Sequence, residues 1–456
     1  MSIFAKISGF SGIGKREIKF IVPIFVEQAL GTLVSILGTI LITGVGSYAV
    51  SGVGLVDSIN LMVMSVFTAV STGITVVTAQ LIGKNDQVSA EKAGGQAITV
   101  TVLLAAAMSL ILLVFKRSIL SFLYGGAEQN VLDAAGLFII YTASSFPFLA
   151  LSSAISGIMR ASGNGRTPMM GALTANIIYI GLSSLLIRSG LGITGLGIGL
   201  LSARVCSALF MYLMMISSHL QKPGFRLKLD LATLRPVMKI AVPSGADSII
   251  FNGGKLLVAV FMSGMGTHAL AANAIGNSLM SFLNLPGNTL SIASVTIVGQ
   301  MFGSGRIKET KRSMMRITAT AVVLQIIIGG IFYVLTNPII SMYNPEPEAA
   351  AIARSLVYVF LVISLIWPSS FLLAQTLRAT GDVTHTMVIS VVSMFTMRVF
   401  GAWLLGVYFG WGVLGIWVAM GADWILRSLF FIYRVLSGRW YKKDESGASA
   451  GESAET

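Results

Sequence analysis

Lys19-Phe20-Ile21-Val22-Pro23-Ile24-Phe25-Val26-Glu27 returns 220 residues later as Lys239-Ile240-Ala241-Val242-Pro243-Ser244-Gly245-Ala246-Asp247. In both stretches a lysine leads into an apolar run, a proline interrupts it, and a carboxylate follows four residues after the proline. The register continues without gaps: Gly44 matches Gly264, Gly46 matches Gly266, Ala49 matches Ala269, Gln80 matches Gln300 and Gly83 matches Gly303. At an offset of 218, Met159-Arg160-Ala161-Ser162-Gly163 returns as Leu377-Arg378-Ala379-Thr380-Gly381. The chain is therefore an internal duplication in which the repeat covers nearly all of each half.

What is duplicated follows from composition. The 456 residues are 55% hydrophobic and 11% charged, with a mean hydropathy of +0.84, which a water-facing globule could not carry on its surface. Lipid is the solvent that fits. Apolar runs lie at 20–43, 52–81, 94–115, 133–156, 168–187, 193–216, 238–263, 270–300, 315–336, 351–374, 385–407 and 413–437, each of a length able to cross a bilayer. The expected fold is an all-α membrane protein of twelve transmembrane helices, built as two six-helix bundles. Six crossings return the chain to its starting side, so the halves share one orientation and a pseudo-two-fold axis along the membrane normal relates them. The expected boundaries are 1–222 for the first lobe, 223–443 for the second and 444–456 for a disordered tail rich in Ser, Gly, Ala and acid.

The net charge of +13 is read as orientation rather than as nucleic-acid binding. Lys15, Arg16, Lys84, Lys92, Arg160, Arg166, Lys222, Arg226, Lys228, Arg235, Arg306, Lys308, Arg378, Arg434, Arg439, Lys442 and Lys443 fall in alternate loops, while Glu346 and Glu348 fall opposite. By the positive-inside rule both termini are cytosolic, in an inner (cytoplasmic) membrane. Met1 to Glu17 shows no small-residue cleavage site before the first span and reads as no cleavable signal. The lone Cys206 excludes an internal disulfide. Gly9 and Gly14-Lys15 imitate a phosphate loop, but Arg16 stands where a magnesium-binding hydroxyl is needed. Gly190, Gly192 and Gly195 imitate a dinucleotide motif, but they follow an apolar span, so they read as a short turn into close helix packing. No catalytic set is apparent, and an enzyme is not expected.

Charges within spans single out candidate sites, because each costs several kcal/mol at depth unless paired or hydrated. Glu27 and Asp247 occupy repeat-related places about 12 Å from one edge, beside helix-bending prolines. They are read as one carboxylate per lobe, opening on a central cleft and binding a proton, sodium or substrate. The plainer alternative is that a structural partner holds each of them. Lys255, Arg204, Arg398 and Asp423 lie nearer mid-depth and could neutralise one another, and Asp423 and Arg427 have the spacing of a pair along one helix. Asn60, Asn176, Asn252 and Asn277 could line a cavity or join helices.

Several of these patterns together resemble the multidrug and toxic compound extrusion (MATE) family. They are Pro23-Ile24-Phe25-Val26-Glu27-Gln28, Gln80 with Gly83, Arg160-Ala161-Ser162-Gly163 with Thr167-Pro168, Pro243-Ser244-Gly245, Gly253-Gly254-Lys255, Ser263-Gly264-Met265-Gly266, Ala271-Ala272-Asn273-Ala274, Pro286-Gly287-Asn288 and Arg378-Ala379-Thr380-Gly381-Asp382. The resemblance implies a monomeric exporter of small, amphipathic and often cationic compounds, working by alternating access. It implies a proton or sodium gradient as the drive, with no cofactor and no resident metal beyond a possible sodium at Asp247 or Glu27. A flippase for a lipid-linked oligosaccharide is the alternative within the wider group. The chain departs from the family where many members carry an Asp midway along the first span, here Gly38, or an Asp one turn after the Asn matching Asn176, here Ile180. Where other members place a Glu in the seventh span, it has Phe251, and its tenth span has no carboxylate. Glu27, Asp247, Asn176, Asn252, Lys255, Arg398 and Asp423 are the expected substrate or cation site residues.

Overall fold

The structure, a computed structural model, describes residues 14–218 and 230–441. The basic residues Lys222, Arg226 and Lys228 of the linker and the tail at 444–456 lie outside the described residues. Helices α1 (Lys15–Thr43), α2 (Ser47–Gly83), α3 (Gln87–Tyr124), α4 (Gln129–Ser144), α5 (Phe146–Ala161), α6 (Arg166–Leu186) and α7 (Gly192–Ser217) make up the first half. The second half comprises α8 (Leu231–Ser263), α9 (Thr267–Leu283), α10 (Leu285–Gly303), α11 (Ile307–Met342), α12 (Pro347–Ile363), α13 (Trp367–Ala379), α14 (Val383–Ser393, continued in π-helical turns to Tyr408) and α15 (Gly412–Leu436).

By length and composition seven segments qualify to cross a membrane, and nine do when each bent pair counts as one span. One of the seven, Arg166–Ser217, holds both α6 and α7. The chain reverses between them at Gly190 and Gly192, whose φ angles of 90° and 50° suit glycine. The same turn recurs at Gly410 and Gly412 with φ of 71° and 60°. Next to it a Cβ on Gly195 would press on the Leu186 backbone, and one on Gly415 on the Leu405 backbone. The glycines therefore serve a tight turn and close helix approach. With α1 and the α9/α10 pair added, the crossings match the twelve read from the sequence. Two of the crossings are bent: α4 to α5 by 44° at Ser145, and α12 to α13 by 50° at Ser364–Ile366. Pro147 and Pro368, at the start of the second piece of each pair, lack the N–H that a continuous helix would use.

Side chains such as Ile40, Leu110, Val334 and Leu429 are 59%, 63%, 73% and 61% exposed, which suits a hydrocarbon solvent. We call the end where α1 begins and α15 finishes the basal end, and the other the distal end. One apolar cluster belongs to the first half and runs from Ile42 and Val56 through Phe146 to Leu196. A second belongs to the other half and runs from Val258 through Leu283 and Trp367 to Trp424. A third joins the halves, setting Ile74, Ile155 and Met211 against Val237, Val298, Leu377 and Phe431. Contacts between the halves include Gly73 against the Val237 carbonyl and Gly245 against Ala69. They also include Asn252, which donates to Ser65 Oγ at 3.0 Å. Closer to the distal end, Leu33, Leu37 and Ile40 of α1 and Leu256, Leu257 and Val260 of α8 are exposed.

Candidate functional site

At the basal end the duplication becomes a piece of joinery. Gln80 closes α2, and its Nε2 donates to the carbonyl of Ala379 at 2.7 Å. Its repeat mate Gln300 closes α10 and donates to the carbonyl of Ala161, also at 2.7 Å. Each glutamine thus caps the last turn of a helix in the opposite half. The backbones beside them touch, because a Cβ on Gly83 would fall on the Gln300 carbonyl and one on Gly303 on the Gln80 carbonyl. Reciprocal contacts between equivalent residues are what a two-fold axis between the halves produces.

The two carboxylates sit just behind this latch. Arg160 Nη2 donates to Glu27 Oε1 at 2.5 Å, and Arg378 Nη2 donates to Asp247 Oδ2. All four side chains are between 11% and 15% exposed. The partners are repeat mates, and each pair lies within one half. Arg160 and Arg378 directly precede Ala161 and Ala379, whose carbonyls the glutamines hold. The Arg160 carbonyl also accepts from Thr296 Oγ1 at 3.0 Å, which ties the first pair to the second half. A charge-assisted bond in each half is thereby one peptide away from a bond between halves. Glu27 Oε2 and Arg160 Nε are buried with no hydrogen-bond partner among the described residues. The first pair therefore keeps hydrogen-bonding capacity that its own partners do not use.

In the core of the first half Arg204 Nη1 donates to Ser145 Oγ at 2.6 Å, at the α4–α5 bend. It also lies within electrostatic reach of Asp57 and Tyr179. Asp57 was not among the residues singled out from sequence. It stands near the start of the 52–81 run, and the pattern does not reveal that it faces Arg204. A Cβ on Gly38 would meet the Tyr179 hydroxyl at 2.9 Å, so a tyrosine fills the place where an aspartate of α1 would stand. Asn176 is half-buried, and its Nδ2 has no partner among the described residues.

The second half is built differently. Asp423, fully buried, accepts from Ser393 Oγ at 2.5 Å and from Arg427 Nε at 2.8 Å, both on Oδ1. Arg398 Nη1 is 3.9 Å from Oδ2. Arg427 also donates to the Ser390 carbonyl at 3.1 Å. Arg398 lies in the π-helical turn Met394–Val399, a widened turn of a kind often found at functional sites. Three cations converge on Phe251: Lys255 at 5.5 Å, Arg398 at 5.3 Å and Arg427 at 5.0 Å from the ring centre. Lys255, Arg398 and Asp423 are thus brought together, whereas Asn252 is spent on the contact with Ser65. Among the described residues no group of three or more His, Cys, Asp or Glu could hold a metal ion.

The MatE family model matches the chain twice, over residues 23–185 and 243–404, one match in each half. The chain belongs to the MATE family. It is 25% identical over 439 residues to the probable multidrug resistance protein YoeA of Bacillus subtilis (strain 168), covering 93% of both chains. Among solved structures it resembles a variant of the Vibrio cholerae MATE transporter VcmN, with a TM-score of 0.88 at 17% identity over 95% of this chain and 98% of that one. A MATE transporter of the MOP superfamily in an outward-facing conformation gives 0.87 at 14% identity over 94% and 97%. The protein is accordingly a multi-pass membrane transporter of small molecules and not an enzyme.

Proposed function

We propose that this MATE protein is a secondary active exporter of small amphipathic compounds, alternating between two access states of its lobes, residues 1–222 and 223–443. The observation that carries this reading is the reciprocal basal latch, Gln80 on Ala379 and Gln300 on Ala161. A transporter must join its halves on one side and part them on the other. Small, repeated, polar contacts can be broken at modest cost, about 1 kcal/mol for each hydrogen bond. The distribution of lysine and arginine supports a cytosolic basal end, and the latched form is then closed to the cytosol. YoeA is named for multidrug resistance, which supports drug-like cargo. The family resemblance adds that such cargo is often cationic, and exposed Asp57 beside Arg204 is the carboxylate that favours it in the first half.

Coupling to a proton or sodium gradient is assigned to Glu27 and Asp247. A proton or cation that neutralises either carboxylate loosens its arginine, and the neighbouring carbonyl of Ala161 or Ala379 is then freer to leave its glutamine. The test is transport by the purified monomer in vesicles with imposed proton or sodium gradients, using ethidium as cargo. Gradient-driven ethidium movement that falls in Glu27→Gln and Asp247→Asn supports the reading. Movement at the parental rate in both variants and in the double variant removes coupling from these acids, and no gradient-driven movement of any dye overturns the export reading. The flippase reading is favoured by the excess of basic charge around Phe251, and a lipid-linked sugar in the same vesicles separates the two.

A further inference from the structure

We propose that the second half contains an anion-binding subsite, formed by Lys255 and Arg398 on the face of Phe251, which holds a carboxylate, sulfonate or phosphate group of an amphipathic cargo. The proposal rests on the export reading above and gives the cargo a charge opposite to the one that the family resemblance implies.

Charge balance is the first argument. Lys255, Arg398 and Arg427 face one acid, Asp423, so the cluster carries an excess of two positive charges. Asp247 lies within electrostatic reach of Arg427 and Asp423, but Arg378 already engages it and that pair is neutral. Lys255 and Arg398 moreover repel one another. An uncompensated cation at such depth costs several kcal/mol, and a bound anion removes that cost.

Hydrogen bonding is the second. Arg427 spends Nε on Asp423 and Nη2 on the Ser390 carbonyl. Arg398 is 6% exposed, and its Nη1 donates no hydrogen bond among the described residues. The 3.9 Å gap to Asp423 Oδ2 is too long for one. Lys255 is exposed, and no acid lies within salt-bridge distance of it among the described residues. Two donors of one sign, one buried and one accessible, thus stand over a single aromatic face. The ring accepts an apolar body and the two cations accept its anionic group. Gly254 fixes the geometry, since a Cβ there would strike Met394 at the start of the turn that carries Arg398.

The experiment measures binding of 8-anilinonaphthalene-1-sulfonate to the full chain in phosphatidylcholine nanodiscs, with ethidium, benzoate and dodecyl phosphate as competitors. Lys255→Gln and Arg398→Gln are each expected to weaken the sulfonate by about tenfold or more, as loss of a charge-assisted hydrogen bond does. Lys255→Arg retains binding, and ethidium does not compete. Displacement by dodecyl phosphate but not benzoate identifies a lipid phosphate as the source, and displacement by both identifies free organic anions. Lys255 is exposed, so its variants test the site even where Arg398→Gln fails to fold. Parental sulfonate binding in Lys255→Gln, or displacement by ethidium, overturns the subsite. If that variant binds the sulfonate as the parent does while gradient-driven ethidium export persists, the subsite alone fails and the export reading stands.

Discussion

The two halves carry the same machinery at the basal end and different charges in their cores. Behind the latch, Glu27 with Arg160 and Asp247 with Arg378 are copies, down to the alanine carbonyl that follows each arginine. Deeper in, the first half holds one acid against one base, Asp57 and Arg204, with Tyr179 beside them. The second holds one acid against three bases around an aromatic ring. A contact between duplicated halves constrains both copies at once, since a change in one glutamine has to suit the opposite half. The core charges make most of their contacts within their own bundle, so each copy is free to diverge. On the proposed export reading, the difference separates residues that join the halves from residues that would meet the cargo.

The largest expected effect breaks the comparison at the cores. Asp423→Asn leaves Arg398 and Arg427 buried without their acid, a change that costs about 3–5 kcal/mol. Asp57→Asn removes an acid that forms no direct ion pair among the described residues and leaves Arg204 its bond to Ser145, so it should cost less. Thermal unfolding in detergent compares them, and equal losses would mean that the cores are not different in kind. Next come Gly83→Ala and Gly303→Ala, each forcing a methyl against a carbonyl across the interface, at about 1–3 kcal/mol. Spin labels at Lys84 and Ser304, with Cys206 replaced, should move apart in both variants. An unchanged distance would show that these glycines do not set the approach of the halves.

Smaller still are Gln80→Ala and Gln300→Ala, at about 1 kcal/mol each, and the comparison sharpens because they should match within about 0.5 kcal/mol. A lopsided pair of losses would deny that the latch is symmetric. These glutamines also mark how far the sequence could be read. Their repetition is visible as two identical residues in one register, and so are the prolines, the turn glycines and the twelve apolar runs, because chemistry repeated at fixed spacing survives in one dimension. Their partners are not visible: a backbone carbonyl of Ala379 or Ala161 has no signature in composition. The acids Glu27 and Asp247 were legible as a related pair, and so were the arginines of the two Arg-Ala motifs. That each acid meets its own arginine required the fold to bring α1 to the end of α5, and α8 to the end of α13. Asp423 with Arg427, and likewise Phe251 with Lys255, have helical i, i+4 spacing, whereas the approach of Arg398 to Phe251 depends on how α8 meets the widened turn after α14.

The smallest effect is expected where the duplication is silent. Asp230 caps α8 by accepting from the Ala232 N–H at 3.1 Å, and it reaches across to Lys92 of the first half at 2.6 Å. Its repeat counterpart would be Phe10, so no second copy of this pair exists in sequence. The Lys92 ammonium, the Thr233 hydroxyl and the Ala232 N–H hold the Asp230 carboxylate down from the ordinary 3.8 to about 2. A lowered acid constant means that the folded state prefers the ionised form. The stabilisation is therefore complete above about pH 4, declines as pH falls toward 2, and is absent below that. Asp230→Asn isolates the charge, because asparagine caps a helix as well as aspartate does. Tryptophan fluorescence during acid unfolding should show a small, constant stability gap between parent and variant above pH 4, closing between 4 and 2. In a Lys92→Gln background the gap should shrink, since its first cause is gone. A gap that persists unchanged to pH 2, or one indifferent to Lys92, would show that this link between the halves does not depend on charge.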